Sequence, residues 1–164
     1  MTNSFFYFAY GSSMDTSDLR FWCEINRLTP IYPISQEAAC LKNYKLIFHY
    51  RDKFLNSGIA DIIEQDNEEV WGILFKLAII HKTTIRKKEG FPDTFREIEI
   101  SVQTLVNHVK TRAITYTLKE NKKENSLVAP TKYYKQLLLN NARRLYFPNL
   151  YIKQLEAISA KDHG

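Results

Sequence analysis

The chain has 164 residues, of which 45% are hydrophobic and 25% are charged. These proportions are typical of one globular domain and exclude a disordered or collagen-like chain. The net charge of +5 raises the question of a nucleic-acid or small anionic partner. Because the basic residues are scattered in small groups along the chain, we expect no nucleic-acid partner.

Cysteine content and the first apolar run bear on the cellular compartment. The two cysteines, Cys23 and Cys40, cannot form a disulfide framework, and their spacing matches no zinc site. We predict that both are reduced and structural, as in cytoplasmic proteins. The apolar run at 5–10 is too short for a signal peptide or a membrane span. The sequence therefore predicts a cytoplasmic protein with no membrane partner.

Strands dominate the predicted first half of the chain. The run at 5–10 is apolar throughout and ends at Gly11, which predicts a strand buried on both faces. Residues 15–18 then offer N-cap side chains for a short helix. The apolar residues of that helix are Leu19, Phe21 and Trp22. Three further strands are predicted at 44–50, 58–63 and 70–77, with a loop at 52–57.

The middle of the chain predicts a helix followed by a hairpin. Residues 79–89 favour a helix that ends at Gly90, a residue that tolerates the left-handed stop, and 91–93 form a turn. Apolar and polar residues then alternate over 97–103, which is the period of a half-exposed strand. The two strands of the hairpin, joined by a turn at 106–111, place these apolar residues on one face: Ile98, Ile100, Val102, Ile114, Tyr116 and Leu118.

After a polar loop at 119–126, the last third of the chain is predicted to be helical. Thr131 can cap a helix with an apolar stripe formed by Tyr134, Leu137, Leu138 and Leu145. Pro148-Asn149 breaks the chain, and a final short helix carries Leu150, Leu155 and Ile158. This order predicts one α+β domain over 1–164. We expect a small mixed, mostly antiparallel curved sheet or barrel flanked by helices.

The sequence lacks the common catalytic and metal-binding motifs, which argues against several enzyme classes. The chain contains no Walker loop, dinucleotide fingerprint, H-E-x-x-H, C-x-x-C or G-x-S-x-G motif. The histidines lie in unrelated contexts, and we predict surface or edge positions for all of them: His49, His81, His108 and His163. We therefore expect neither a metal nor a cofactor.

Two short motifs remain as candidates for a site. The turn at 10–14 (YGSSM) follows a buried strand, and a glycine with small hydroxyl residues lets backbone N–H groups converge on a carboxylate or an oxyanion. A plain strand-to-helix turn is the alternative. The second motif is Glu89-Gly90 at the predicted helix end. Taken singly, a glutamate there is usually a surface carboxylate.

The order of these and other segments is similar to that of one enzyme family. The segments are 8–14, 57–62, 70–75, 88–90, Pro130 with Tyr134-Lys135, and 148–158. In this order they resemble the γ-glutamyl cyclotransferases, which have a Y-G-S-N substrate loop and an acid/base glutamate in an E-G pair. The resemblance runs from about Phe8 to Ile158. The chain departs from the family pattern at Ser13, where an asparagine is usual, at Phe95, where an aromatic hydroxyl is frequent, and over 20–39.

The resemblance implies a reaction and a set of site residues. Such enzymes release 5-oxoproline when the α-amine of a γ-glutamyl compound attacks its own γ-carbonyl, without a cofactor. Glu89 would then be the acid/base residue. The substrate-binding residues would be Tyr10, Gly11, Ser12, Ser13, Met14 and Tyr134. We expect a small γ-glutamyl substrate and a monomer or homodimer.

Three alternative functions stay open at this point. The same fold could serve a γ-glutamylamine cyclotransferase or an enzyme that removes a γ-glutamyl protecting group. A non-catalytic small-anion binding module is a second alternative, because Ser13 replaces the usual asparagine. A basic nucleic-acid module is a third, although the aromatic residues lie in buried-looking strands rather than on one exposed face.

Overall fold

A closed β-barrel forms the centre of the molecule in the computed structural model, which describes residues 3–162. The strands are β1 (Ser4–Ala9), β2 (Ser35–Ile47), β3 (Arg51–Asp52), β4 (Ser57–Gly58), β5 (Asp61–Ala78), β6 (Phe95–Thr104) and β7 (Lys110–Leu118). The barrel order is β1-β5-β2-β6-β7, while β3 and β4 form a separate two-stranded ribbon. His163 and both ends of the predicted 1–164 domain lie outside the described residues.

Helices flank this barrel. They are α1 (Thr16–Ile25), α2 (Lys82–Lys88), α3 (Lys132–Arg144) and α4 (Asn149–Glu156). The Asp15 side chain accepts a hydrogen bond from the N–H of Asp18, and the Thr131 hydroxyl accepts one from the N–H of Tyr134. Asp15, one of the four candidates at 15–18, is thus the N-cap of α1, and the predicted cap Thr131 is confirmed for α3. Within residues 3–162 no helix is long and apolar enough to cross a membrane.

The barrel closes through a single parallel pairing. β1 pairs with β5 antiparallel and with β7 in parallel through Tyr7 and Ile114, whereas the remaining barrel pairs are antiparallel. In the antiparallel pair, Gly72 of β5 permits the close approach of β1, since a Cβ there would lie 2.3 Å from the carbonyl oxygen of Ala9. The predicted α+β fold with a mixed, mostly antiparallel barrel is confirmed.

The ladder between β2 and β5 is longer than the sequence pattern predicts. The strands predicted at 58–63 and 70–77 are one strand, β5, and β2 starts nine residues before the predicted 44–50. Residues 64–69 are polar and exposed, so no apolar alternation marks them as a strand. The register shifts where Asn43 adopts a positive φ, and its side chain accepts a hydrogen bond from the N–H of Asn67 at 3.2 Å.

Several smaller predictions need correction. The helix predicted at 79–89 begins with a 3-10 turn, Ile79–His81, before α2. On α3 the buried face includes Leu139 and Ala142, while Leu137 is only half-buried. On α4 the buried residues are Tyr151 and Leu155, whereas Leu150, which was predicted on the apolar face, is exposed.

Two histidines and both cysteines are buried. His49 and His81 are therefore not surface residues, whereas His108 is exposed as predicted. His49 is tolerated inside because its Nε2 lies 2.5 Å from a carboxylate oxygen of Asp61. Cys23 and Cys40 are free, and burial raises the pKa of both thiols, to about 12 for Cys40. Both therefore stay protonated at neutral pH, as expected for structural cysteines.

Candidate active site

A cavity of about 600 Å³ opens at the end of the barrel where β1 ends and β6 begins. Its size is within the usual range of small-molecule sites, about 300–1,000 Å³. The walls come from segments that are distant in sequence: the turn after β1, the segment after β4, the residues after α2, the start of β6, β7 and α3. Both candidate motifs, the turn at 10–13 and Glu89, contribute to these walls.

Glu89 lies at the C-terminal end of α2. Its N–H donates to the carbonyl of Ile85 at 2.9 Å, and Gly90 follows with a φ of +72°. This left-handed stop is the one that the sequence predicts. The turn ends the helix, and the Glu89 side chain lines the cavity.

Two hydroxyl groups hold the Glu89 carboxylate. Ser13 Oγ donates to Glu89 Oε1 at 2.8 Å, and the Tyr7 hydroxyl donates to the same oxygen. Across the described residues, no cation forms an ion pair with Glu89. Glu89 Oε1 is therefore held in position by two neutral donors.

The turn at 10–13 is a compact element rather than an open loop. Ser12–Met14 form a 3-10 turn in which the N–H of Met14 donates to the carbonyl of Gly11 at 3.0 Å. Gly11, Ser12 and Ser13 line the cavity. Met14 does not fit its predicted role, because its N–H is used within the turn and its side chain is buried in the core.

The two predicted tyrosines differ in what their hydroxyls offer. The Tyr134 hydroxyl accepts a hydrogen bond from the N–H of Ala60 at 3.1 Å, so its own proton remains available for donation. Burial raises the pKa of Tyr134 to about 12. The hydroxyl of Tyr10 instead donates to the carbonyl of Tyr116. Tyr10 therefore lines the cavity, but its hydroxyl proton is already donated within the fold and is not available to a substrate.

Gly11 lies against the hydroxyl of Tyr134. A Cβ at this position would lie 2.9 Å from that oxygen, closer than real Cβ contacts occur. The glycine therefore allows the turn and α3 to approach each other at the cavity.

Sequence reasoning missed Tyr7, whose hydroxyl donates to Glu89. Burial, and next the Glu89 charge, raise the pKa of Tyr7 well above its ordinary value, so it stays protonated and keeps donating. A signal was present: a tyrosine inside an apolar strand needs a partner for its hydroxyl. Which partner it finds depends on barrel closure, since 82 positions separate it from Glu89.

Tyr116 was read as part of an apolar face, yet it also lines the cavity. Its hydroxyl donates to Glu97 Oε1 at 2.8 Å, and Arg86 donates to both oxygens of that carboxylate at 2.9 and 3.0 Å. Phe95, which stands where the family often has a hydroxyl, lies edge-on to Tyr50 with ring centroids 6.4 Å apart. It adds apolar wall without a polar contact.

The outer rim of the cavity comes from α1 and from the ribbon of β3 and β4. Trp22, Ile25, Phe54 and Leu55 lie there, with Lys88 as the one cation on the described walls. No sequence pattern predicted the position of the ribbon tip. Within residues 3–162, no three histidine, cysteine or acidic side chains are grouped so as to hold a metal ion.

Comparisons with known proteins identify the family. The model of the AIG2-like family matches residues 69–155. The γ-glutamylcyclotransferase of Bos taurus is 28% identical over 166 residues, spanning 98% of this chain and 81% of the relative. The Homo sapiens γ-glutamylcyclotransferase is 25% identical over 173 residues, with the same coverage.

Solved structures show the same fold. A structure described as γ-glutamyl cyclotransferase superposes with a TM-score of 0.80 at 24% identity, covering 97% of this chain and 90% of that one. A yeast γ-glutamyl cyclotransferase specific to glutathione gives a TM-score of 0.66 at 10% identity, covering 94% of each chain. The chain therefore belongs to the AIG2-like family and has the fold of the γ-glutamyl cyclotransferases.

Proposed function

We propose that this protein is a γ-glutamyl cyclotransferase with Glu89 as its acid/base residue. The observation that carries the proposal is the carboxylate of Glu89, which lies in the cavity with the turn at 11–13 and is held by the hydroxyls of Tyr7 and Ser13. The names of the relatives agree with this reaction class. The cytoplasm is the compartment we propose, consistent with two free, buried cysteines.

The reaction forms one bond and breaks one. The substrate's α-amine nitrogen attacks its γ-carbonyl carbon and closes a five-membered ring, and the γ-amide C–N bond then breaks. Glu89 takes a proton from the attacking amine and passes it to the departing nitrogen. The products are 5-oxoproline and a free amine, so neither water nor a cofactor is consumed.

Ring closure depends mainly on holding the substrate curled. A well-oriented intramolecular reaction gains about 7–11 kcal/mol over its bimolecular counterpart. In our proposal the backbone N–H groups of the turn at 11–13 bind the α-carboxylate or the developing oxyanion. Tyr134 donates its hydroxyl proton to the bound substrate. The oxygen of that hydroxyl accepts from the N–H of Ala60, which leaves the proton free for this bond.

Proton transfer supplies the remaining rate. A positioned general acid/base contributes typically about 10²–10⁴-fold. Tyr7 and Ser13 orient the Glu89 carboxylate through one oxygen, Oε1, so that the substrate can use the other. In this proposal the Ser13 hydroxyl acts on Glu89 rather than on the substrate.

The decisive experiment measures 5-oxoproline release by the purified protein. The panel contains γ-glutamyl amino acids, glutathione and γ-glutamylamines, so that the best leaving group also separates the cyclotransferase subtypes. Glu89→Gln keeps the size of the side chain but cannot carry the proton, and we expect kcat to fall by about 10²–10⁴-fold. Glu99→Gln is the matched control, because Glu99 is exposed on β6 and away from the cavity.

Two results would overturn the proposal. One is wild-type turnover by Glu89→Gln, which would remove the acid/base role. The other is a folded protein that binds γ-glutamyl compounds in calorimetry but releases no 5-oxoproline from any of them, which would favour the anion-binding module.

A further inference from the structure

The cavity has two chemically different ends. At the inner end the walls are buried side chains with polar groups, among them Tyr7, Tyr10, Ser13 and Tyr134. At the outer end, beside the polar Asn26 and Asp52, the walls include apolar side chains that face solvent: Ile25 is 61% exposed, Leu55 54% and Phe54 fully. A substrate whose γ-glutamyl part occupies the inner end must place its leaving group between these outer side chains.

Exposed apolar side chains on two separate elements meet at this rim. Ile25 comes from the last turn of α1, whereas Phe54 and Leu55 form the tip of the ribbon between β3 and β4. Large apolar side chains that converge at a cavity mouth gain free energy when a ligand covers them. The rim therefore complements an apolar leaving group better than it complements glycine or a polar chain.

Hydrogen bonds fix the conformation of the ribbon tip, which argues that its side chains hold defined positions at the rim. The N–H of Leu55 donates to Asp52 Oδ1 at 2.9 Å, and Arg51 donates to Asn56 Oδ1 at 3.4 Å. The Asp52 carboxylate is thus engaged in holding the tip. In this conformation of the tip, Phe54 is completely exposed and packs against no other side chain.

One positive charge lies at the same rim. Lys88 lines the cavity next to Glu89, and its Nζ lies 5.9 Å from the centre of the Trp22 ring. It is the one cation among the described cavity residues. An amino-acid leaving group carries an α-carboxylate, whereas a simple amine does not. Lys88 is positioned to pair with that carboxylate while the apolar side chain lies against the rim.

We infer that the preferred substrates are γ-glutamyl dipeptides whose second residue is a large apolar amino acid, such as phenylalanine or leucine. The rim formed by Trp22, Ile25, Phe54 and Leu55 binds the side chain, and Lys88 binds the terminal carboxylate. This inference rests on the proposed function, since it assigns the leaving-group half of the same site. Bond making and proton transfer stay as described above.

The first test compares kcat/KM for γ-glutamyl-phenylalanine and γ-glutamyl-glycine. We expect the wild type to favour the phenylalanine compound by at least about tenfold, within the range for apolar contacts in a pocket. The double variant Phe54→Ala/Leu55→Ala should lower that ratio by about tenfold. Leu127→Ala, which removes another exposed apolar side chain away from the cavity, should leave the ratio unchanged.

The second test isolates Lys88. The ratio of kcat/KM for γ-glutamyl-phenylalanine to that for γ-glutamyl-phenethylamine, which lacks the carboxylate, should fall severalfold in Lys88→Gln. Lys87→Gln is the matched control, because Lys87 is its exposed neighbour and lies outside the cavity walls.

The outcomes separate this inference from the proposed function. Release of 5-oxoproline with equal or better kcat/KM for the glycine compound would overturn the inference and leave the reaction class intact. A ratio that survives Phe54→Ala/Leu55→Ala would also overturn it. Release from no compound would overturn both.

Discussion

Two carboxylates at the same end of the barrel, Glu89 and Asp61, are held in different ways. Asp61 is fully buried and accepts hydrogen bonds from Thr117 Oγ1 at 2.8 Å and the N–H of Leu118 at 3.0 Å, with His49 Nε2 at 2.5 Å. Glu89 is only partly buried, and two hydroxyls share one of its oxygens. Asp61 joins β5, β7 and the segment after β2, whereas Glu89 faces a cavity.

The difference shows how a barrel separates stability from chemistry. A buried carboxylate with donors on both oxygens has its hydrogen-bonding capacity used by the protein, so it fixes strands together. A carboxylate held through one oxygen keeps the other for a substrate. The local sequence does not distinguish the two carboxylates. Each lies next to a small residue, Ala60 or Gly90, at one end of an element. Substitutions at each site should therefore affect different properties.

The largest expected effect on stability is at Asp61. Asp61→Ala leaves the N–H of Leu118 and the His49 ring without their acceptor, and breaking such a buried pair costs about 3–5 kcal/mol of unfolding free energy. Urea unfolding measures this loss. Asp66→Ala, an exposed position on β5, should change stability by about 0.5 kcal/mol or less. Equal effects at the two positions would contradict the structural role of Asp61.

A smaller effect, on rate, is expected at Tyr7. Tyr7→Phe removes one of the two donors that orient Glu89, and we expect kcat to fall about tenfold, or about 1.4 kcal/mol. The buried hydroxyl contributes about 1 kcal/mol to stability. Tyr151→Phe is the control, because Tyr151 is equally buried but its hydroxyl contacts the backbone of Trp71. A similar drop in kcat for both variants would point to general destabilisation.

The smallest expected effect is on the stability contributed by a third carboxylate, Glu97, which is paired with a cation. Hydrogen bonds from Arg86 lower the pKa of Glu97 below its ordinary value. Its contribution to stability is therefore present above the unfolded pKa of about 4.3 and is lost as pH falls through the lower folded value. Because Arg86 is 38% exposed, the contribution should be about 1 kcal/mol or less.

Urea unfolding of Glu97→Gln against the wild type checks this prediction at two pH values. The stability difference should be measurable at pH 7 and should vanish well below pH 4, where both proteins are neutral at this position. A difference that persists at low pH would mean that packing, rather than charge, makes Glu97 stabilising.

Much of the site was predictable because its residues form recognisable local patterns. The glycine turn after an apolar strand and the Glu-Gly helix stop are features of neighbouring residues, and both line the cavity. The order of these motifs resembles that of the γ-glutamyl cyclotransferases, and this resemblance added Tyr134 to the predicted site. The sequence pattern did not show that the Met14 N–H and the Tyr10 hydroxyl are used within the fold rather than offered to a substrate. Their partners are the carbonyls of Gly11 and Tyr116, and the contact with Tyr116 depends on the tertiary structure.

The sequence by itself determined the caps of α1 and α3, the left-handed stop at Gly90, the β6–β7 hairpin and the α+β class, because each depends on residues a few positions apart. The tertiary structure decided the rest. Tyr7 meets Glu89 across 82 positions, and the polar residues 64–69 become strand through their partners on β2. The physical reason is that buried donors and strand edges take whichever partner barrel closure brings to them.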